Sequence, residues 1–490
     1  MKTVVLVNPP VTLEERYGAF AQAGTIHPPI GLISLAAILR EAGYRSIIID
    51  SEARRMSLED VVNEICALQP SYVGFTAVSM SVYRAAETAA RIKKLTPDTT
   101  TLIGGPHFFA LPHETMRKFK QFDYGIVGEG EIATPLLLEK LDEGRKPETV
   151  PGVIYRDNGS LTQNGTAPQT KDLDTLPMAA WDLLEGFPQI YSSSVHKLGR
   201  WPSTSLVTSR GCFGKCTFCD NSMYGNNIRV RRAGSIINEI RYLHERFGIN
   251  DVFFTDDNFL VNKKRIVEFC ELLSESGMHI SWGCYSRVDS VKDIQMLKLM
   301  RRSGCWRVTY GLESGSQEIL DFYRKGITIE QMKLAVRMTK NAKIKCKGFF
   351  MIGNFLETPE TLRETSQFIL KSGINDFHIT FLTPLPGTPL YDRAQDYGTY
   401  DNDWPRMNLW NPLFIPHGIS REELLRFRKN IYMKFYADPV RIIKGILSLR
   451  SWVDIKKIFR GYSTLLRFLF GSADQNCSIV RKNVSTDSRR

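Results

Sequence analysis

Cys212, Cys216 and Cys219 stand in the string Ser209-Arg210-Gly211-Cys212-Phe213-Gly214-Lys215-Cys216-Thr217-Phe218-Cys219-Asp220, three thiols spaced C-x3-C-x2-C. Thiolates are the usual protein ligands of iron–sulfur clusters, and three of them can hold three irons of a four-iron cluster while the fourth iron stays open. A ferredoxin run would supply a fourth cysteine, and a zinc loop would pair two C-x-x-C units or add histidines. Neither follows nearby in this chain. A cluster with one reactive iron is therefore the leading chemistry, and an irregular zinc loop the alternative. Gly211 and Gly214 permit the tight backbone such a loop needs.

The loop follows an apolar, β-prone run, Ser205 to Thr208, so it is expected at the C-terminal end of a strand, where sheet enzymes collect their chemistry. Further β-like segments recur with helices between them at Asp251–Thr255, Ile280–Tyr285, Arg307–Leu312, Lys347–Ile352 and Phe377–Leu382. Six βα units close naturally into a partial (β/α)6 barrel. Polar residues gather at the expected strand ends. Asp256 and Asp257 can be a helix cap, a metal ligand or an ammonium partner, and Arg287 can fork onto a carboxylate or form a surface ion pair. Glu313 and Ser314 lie in Gly311-Leu312-Glu313-Ser314-Gly315, and Gly353 and Glu357 in the stretch after the fifth strand.

Residues 1–144 alternate strand and helix at short intervals, the pattern of βαβ units and a parallel sheet. Strands read at Thr3–Val7, Ser46–Ile49, Tyr72–Thr76, Thr101–Ile103 and Tyr124–Val127, giving a five-stranded, doubly wound (Rossmann-like) α/β domain. Two strands end in glycine turns, Gly104-Gly105-Pro106-His107 and Gly128-Glu129-Gly130-Glu131, which let backbone approach a phosphate or a flat cofactor. Residues 145–199 read as a hairpin and linker, 200–420 as the catalytic barrel, 421–471 as a basic helical region and 472–490 as a disordered tail.

A chain of 490 residues with 43% hydrophobic content supports two or three domains with sizeable cores. No apolar run is long enough to cross a membrane, and the start reads as a first strand, so a cytoplasmic, reducing location is expected. Nine cysteines, three of them clustered, fit that better than a disulfide framework. Of the net charge of +12, ten units fall in residues 421–490, where 16 Lys and Arg face 6 Asp and Glu. The body is nearly neutral, which argues against general nucleic-acid binding. Short segments at Ile442–Leu449, Trp452–Phe459 and Thr464–Phe470 set basic residues against Ile, Leu, Trp and Phe. They can lie on an anionic membrane as a peripheral contact, or pack over the open side of the barrel.

With Phe218 as the aromatic, the cysteine string resembles the C-x3-C-x-aromatic-C signature of the radical S-adenosylmethionine (SAM) superfamily. Asn8-Pro9-Pro10, His27-Pro28-Pro29-Ile30-Gly31-Leu32 and the two glycine turns resemble the cobalamin-dependent branch of that superfamily, the resemblance running from Met1 to about Tyr436. It implies three cofactors: a [4Fe–4S] cluster on Cys212, Cys216 and Cys219, SAM chelating the open iron, and cobalamin on the first domain. It places SAM against Phe218, Asp256 or Asp257, Arg287, Glu313, Ser314, Gly353 and Glu357, and cobalamin against Gly104, Gly105, His107, Gly128 and Glu129. Two departures stand out. The D-x-H-x-x-G string, whose histidine replaces the lower cobalt ligand in other cobalamin modules, is absent, leaving His107 as a substitute ligand or a residue packed on the cofactor. Phe355-Leu356 stands where Pro-Gly commonly precedes Glu-Thr, making that loop bulkier.

The implied activity is methylation of an unactivated carbon: one SAM methylates cobalt, and a second yields the 5′-deoxyadenosyl radical that activates the substrate. The substrate is a small or lipid-like molecule, and a reductant such as flavodoxin or ferredoxin supplies electrons. A radical cyclase of the anaerobic chlorophyll-ring type is the alternative enzyme, and a cofactor-binding sensor without turnover the non-enzyme alternative. Methylthiolation of tRNA is disfavoured, because it calls for a second cysteine triad and the first domain holds only Cys66.

Overall fold

The run Val4 to Val7 is apolar on both faces, as an interior strand of a parallel sheet must be, and it forms a strand paired on both sides in the first sheet. In the computed structural model, which describes residues 1–191, 200–220 and 223–447, β1 (Thr3–Asn8) pairs in parallel with β2 (Arg45–Asp50) and β3 (Tyr72–Thr76). The sheet continues through β4 (Thr100–Gly104) and β5 (Tyr124–Ile126). Helices cover both faces. Helix Leu58–Leu68 starts at Ser57, whose hydroxyl accepts from the Asp60 N–H at 3.1 Å while the Asp60 carboxylate accepts from the Ser57 N–H. The hairpin β6 (Val153–Asp157) and β7 (Ser160–Gln163) does more than link domains. β6 pairs antiparallel with the β5 edge, so the expected five strands become seven, in the order β2-β1-β3-β4-β5-β6-β7. A lone β5 edge would leave its N–H and C=O groups unpaired.

The second half opens on β8 (Ser203–Leu206). A short antiparallel ribbon, β9 (Ser209–Arg210) with β10 (Arg229–Val230), then flanks the cysteine loop. Five further strands, β11 (Asp251–Phe254), β12 (Ser281–Ser286), β13 (Cys305–Glu313), β14 (Lys345–Ile352) and β15 (Asp376–Phe381), extend β8 into an open six-stranded parallel sheet, with helices between successive strands. This is the half-barrel the six βα repeats predict. Its outer face is packed by helices, as Phe377 shows against Tyr432, Phe435 and Tyr436 of helix Arg421–Tyr436.

Two segments join the halves. The stretch Ala180 to Tyr191 sets Trp181, Phe187 and Tyr191 into a core continuous with both sheets, and the Trp181 indole donates to Glu239 Oε1 at 2.8 Å. A strap from Thr383 to Ile419 crosses back over the first half. It buries Trp404, Met407 and Leu413 against Val82, Phe108 and Phe119, while β16 (Gly398–Tyr400) and β17 (Phe414–Pro416) pair beside the barrel. The bulky Phe355 finds its reason here: it stacks on Tyr397 at 4.7 Å and lies 4.6 Å from Phe414, in a core that the strap completes. Helix Pro439–Leu447 is the first of the three basic segments, and the other two and the tail 472–490 lie outside the described residues. No helix among the described residues is long and apolar enough to cross a membrane. Phe355→Ala is expected to cost about 3 kcal/mol of stability by loss of buried area and cavity formation, read as a lower urea midpoint.

Candidate cofactor site

The cysteine loop is held by its neighbours from three sides. The Thr217 N–H donates to the Tyr323 carbonyl at 3.0 Å, and the Phe218 ring meets Tyr323 edge-on at 5.3 Å. Gly211 has φ +91°, and a Cβ there would come 2.4 Å from the Asn227 carbonyl, so only glycine closes this turn. The sulfurs have donors. The Gly214 N–H reaches Cys212 Sγ at 3.4 Å and Arg287 Nη1 reaches Cys216 Sγ at 3.5 Å, the kind of hydrogen bonding that stabilises an anionic cluster. Three thiolates that each bind a different iron need not converge on a single ion position. The residues present thus fit a cluster. Burial raises the Cys212 thiol above its ordinary value, against the Gly214 N–H and the Arg287 charge.

Burial separates the two strand-end aspartates. Asp256 is fully enclosed, accepting from the Thr208 N–H and hydroxyl at 2.5 Å and the Ser209 N–H at 3.0 Å, with Arg265 at 3.9 Å. It pins the start of the cysteine loop to β11. Asp257 is exposed beside the loop, yet partial loss of solvent around its carboxyl raises it first and the Asp256 charge second, against the Gly211 N–H. Arg287 is buried. Its Nε and Nη2 fork onto Asp289 at 3.0 and 2.8 Å and Nη2 also donates to the Lys325 carbonyl, which leaves Nη1 for the cysteine sulfur. The ion pair the sequence left open is therefore present, with Asp289, and it is not on the surface.

Glu313 sits at φ +61°, a left-handed backbone that non-glycine residues adopt at a cost, and such strain collects at functional sites. Its Oε1 accepts from Lys325 Nζ at 2.8 Å. Lys325, which carried no motif, is buried with its ammonium 5.6 Å from the Phe218 ring. A Cβ on Gly311 would come 2.5 Å from Glu313 Oε1, so that glycine keeps the pair's space open. Ser314 faces inward, with its hydroxyl on Thr365 and accepting from the Ser316 N–H. Glu357 also works within the protein: it accepts from the Gly353 and Asn354 N–H groups, the Asn354 amide and the Thr361 hydroxyl, folding the loop whose Gly353 has φ +77°. Burial pushes its carboxyl up to about 7 despite these donors.

On the first sheet the turns open at neighbouring strand ends. Gly105 has φ +97°, and a Cβ there would sit 2.8 Å from the Ala77 N and Thr76 Oγ1. Beside it Gly104 ends β4, and its carbonyl accepts from the Ala77 N–H at 3.0 Å. Val78 stands 39% exposed after β3, an apolar side chain offered at the crevice next to the topological switch point. These open turns fit a large flat cofactor. His107 is buried, with Nδ1 on the Ser79 hydroxyl at 3.0 Å, Nε2 without a hydrogen-bond partner and its ring 4.5 Å from Trp404. Burial, then the Lys118 charge, lowers it to about 4, so the imidazole is neutral. Gly128, at φ +120°, lets the chain pass Ala167. Glu129 is turned away from the crevice into a buried ion cluster with Arg210 and Arg229, and Glu131 pairs with Arg210 at 2.5 Å. Arg210 lies two residues before Cys212. The second glycine turn and the cysteine loop are thus two ends of one contact. Spacing gives no sign of these partners.

Comparison with known proteins agrees with this layout. Residues 206–394 match the radical SAM superfamily and residues 18–138 the B12 binding domain. An uncharacterised methyltransferase of Pyrococcus horikoshii is 32% identical over 444 residues, 89% of this chain and 94% of that protein. The anaerobic magnesium-protoporphyrin IX monomethyl ester cyclase of Rubrivivax gelatinosus is 29% identical over 84% of this chain and 74% of its own length. Among solved structures, the cobalamin-dependent SAM radical enzyme OxsB superposes with TM-score 0.73 at 18% identity, covering 99% of this chain and 75% of that one. The radical SAM methyltransferase TsrM of Kitasatospora setae gives 0.68 at 19%, covering 99% and 100%.

Two outcomes follow from the geometry. Arg210→Met leaves Glu131 without its cation and is expected to cost about 3 kcal/mol, as breaking a buried ion pair does, measured by chemical denaturation. Glu357 has its folded value raised from 4.5 to about 7, so its protonated form is the one the fold favours. Its contribution to stability is therefore expected to be full below pH 4.5 and to be lost as pH rises through about 7, and Glu357→Gln should flatten that part of the stability–pH curve.

Proposed function

The chain belongs to the radical SAM enzymes that carry a B12-binding domain, a family of enzymes that includes methyltransferases, and from that premise we propose that it methylates an unactivated carbon of a small-molecule substrate. When bound, cluster, SAM and cobalamin supply reductive cleavage of SAM and transfer of a methyl group. The observation that carries this reading is the ion cluster that ties the Gly128 turn, at the cobalamin-like crevice, to Arg210 beside the first cluster cysteine. It would hold the two proposed cofactor sites in one frame, as transfer of a methyl group between them requires.

In this reading Cys212, Cys216 and Cys219 hold the cluster and Phe218 fixes the loop's height against Tyr323. Arg287 Nη1 offsets the negative charge at Cys216. Asp257, exposed beside the loop, takes the SAM ammonium. Lys325 takes the carboxylate and Glu313 a ribose hydroxyl or the amine, their mutual pair holding both in place until SAM arrives. Asp256, Ser314 and Glu357 position the loops that carry these groups. Gly104, Gly105 and Val78 would hold cobalamin, and the neutral His107 packs beneath the strap. An external one-electron donor such as flavodoxin or ferredoxin is required. Val440 and Ile443, each 56% exposed on helix Pro439–Leu447, are the described residues that would meet an anionic bilayer.

The cyclase reading draws on the similarity to the Rubrivivax gelatinosus protein over 84% of the chain. Product mass separates the two, because methylation adds one CH2 and cyclisation does not. Anaerobically reconstituted protein with SAM and a reductant is expected to form 5′-deoxyadenosine, and Cys216→Ala to abolish it; product from that variant overturns the assignment. Lys325→Met is expected to weaken SAM binding about tenfold or more, measured by equilibrium dialysis with the cluster intact.

A further inference from the structure

The inner face of the half-barrel keeps partly exposed side chains at mid-height. Along β15, Asp376, His378 and Thr380 are partly exposed while the alternate residues Phe377, Ile379 and Phe381 are buried under helices. Phe349 on β14 and Tyr285 on β12 are likewise partly exposed among buried neighbours. Inward side chains of a small barrel normally fill one another's space, so the partial exposure of these residues points to a hollow between them.

The lining is made of rings. Tyr285 and Phe349 lie 5.5 Å apart between centroids, Phe349 and His378 6.0 Å, His378 and Trp410 4.7 Å, and Trp410 and Phe20 4.7 Å. Trp410 comes from the strap and Phe20 from the first half, so both halves build the wall. His27 of the first half reaches in as well, with Nδ1 3.4 Å from the Ser205 hydroxyl of β8. Below the rings the charges answer one another. Lys347 pairs with Asp376 at 3.1 Å, Arg307 lies in the field of Asp376 and Asp251, and Asp251 accepts from Ser281 and Trp306. The floor is balanced, so shape and ring contact select the occupant.

We propose that this hollow takes a planar, unsaturated ring system as substrate, held among Trp410, Phe349 and His378, a reading that rests on the small-molecule activity proposed above. A flat π-system gains offset and edge contacts with such rings that a saturated ring of equal carbon count cannot make. The geometry also seats it between the wall contributed by the first half and the strand ends that carry Glu313 and Asp257.

Naphthalene-2-carboxylate and decahydronaphthalene-2-carboxylate, matched in carbon count, test it by calorimetry on protein loaded with cluster, cobalamin and SAM. The planar probe is expected to bind about tenfold tighter, and Trp410→Ala to bring the two within about twofold. Trp410 is suited to truncation because its carbonyl, which holds Arg428 Nη1 at 3.2 Å, remains. Phe349→Leu, closer in volume, should also narrow the gap if the alanine variant fails to fold. Equal affinities, a preference for the saturated probe, binding of neither, or a preference that survives both substitutions overturns the proposal. Formation of 5′-deoxyadenosine in the same samples reports on the proposed activity separately: with it present and no planar preference, only the ring reading fails.

Discussion

A carboxylate that is 2% exposed, Glu129, holds two guanidinium groups, and the rest of the molecule is arranged around that fact. Buried charge is tolerated only when paired and hydrogen-bonded, so Arg210 and Arg229 have little latitude in where they lie. The Thr170 N–H adds a further donor at 3.2 Å. Because Arg210 precedes Cys212 by two residues, the position of the cysteine loop is set from the first sheet as much as from its own strand. Glu129 stays ionised within this cluster: burial alone would raise it, but the Arg229 hydrogen bond and the charges of Arg210 and Arg229 bring it below its usual value.

Burial also sorts carboxylates that look alike in sequence. Asp256 and Asp257 are neighbours, yet one closes a strand end and the other faces the open loop. Glu313 ends β13, and Glu357 stands in the loop that follows β14 of the same sheet. The first keeps a partly exposed carboxylate against Lys325, and the second is consumed by the N–H groups of its own turn. The polar groups left accessible at the barrel mouth are thus fewer than the polar residues there, with Asp257 exposed and Glu313 partly so.

What was legible in the chain was local. Alternation of strand and helix gave the five parallel strands of the first sheet and the half-barrel, since each βα unit carries its own periodicity, and the cysteine string needed only a few residues to declare itself. The long-range pairings were not legible. Glu129 meets Arg229 across 100 positions and Glu131 meets Arg210 across 79, separations at which spacing carries no signal. Lys325 was missed because it follows a short helix without a motif, and its role appears only when β13 brings Glu313 beside it. The fit of Phe355 likewise depends on Tyr397 and Phe414, which arrive from the strap. The two aromatic segments beyond Leu447 lie outside the described residues.

The strap has a consequence for how such a chain can change over generations. Trp404, Met407 and Leu413 belong to the amino-terminal core although they are encoded after the whole barrel, and Asn408 donates to the Glu15 carbonyl at 2.7 Å. A recombination event that swapped in a foreign amino-terminal half would strip those side chains of their sockets and leave the new half without its cover. The two halves are therefore bound to drift together, each residue change under the strap answered by one within it.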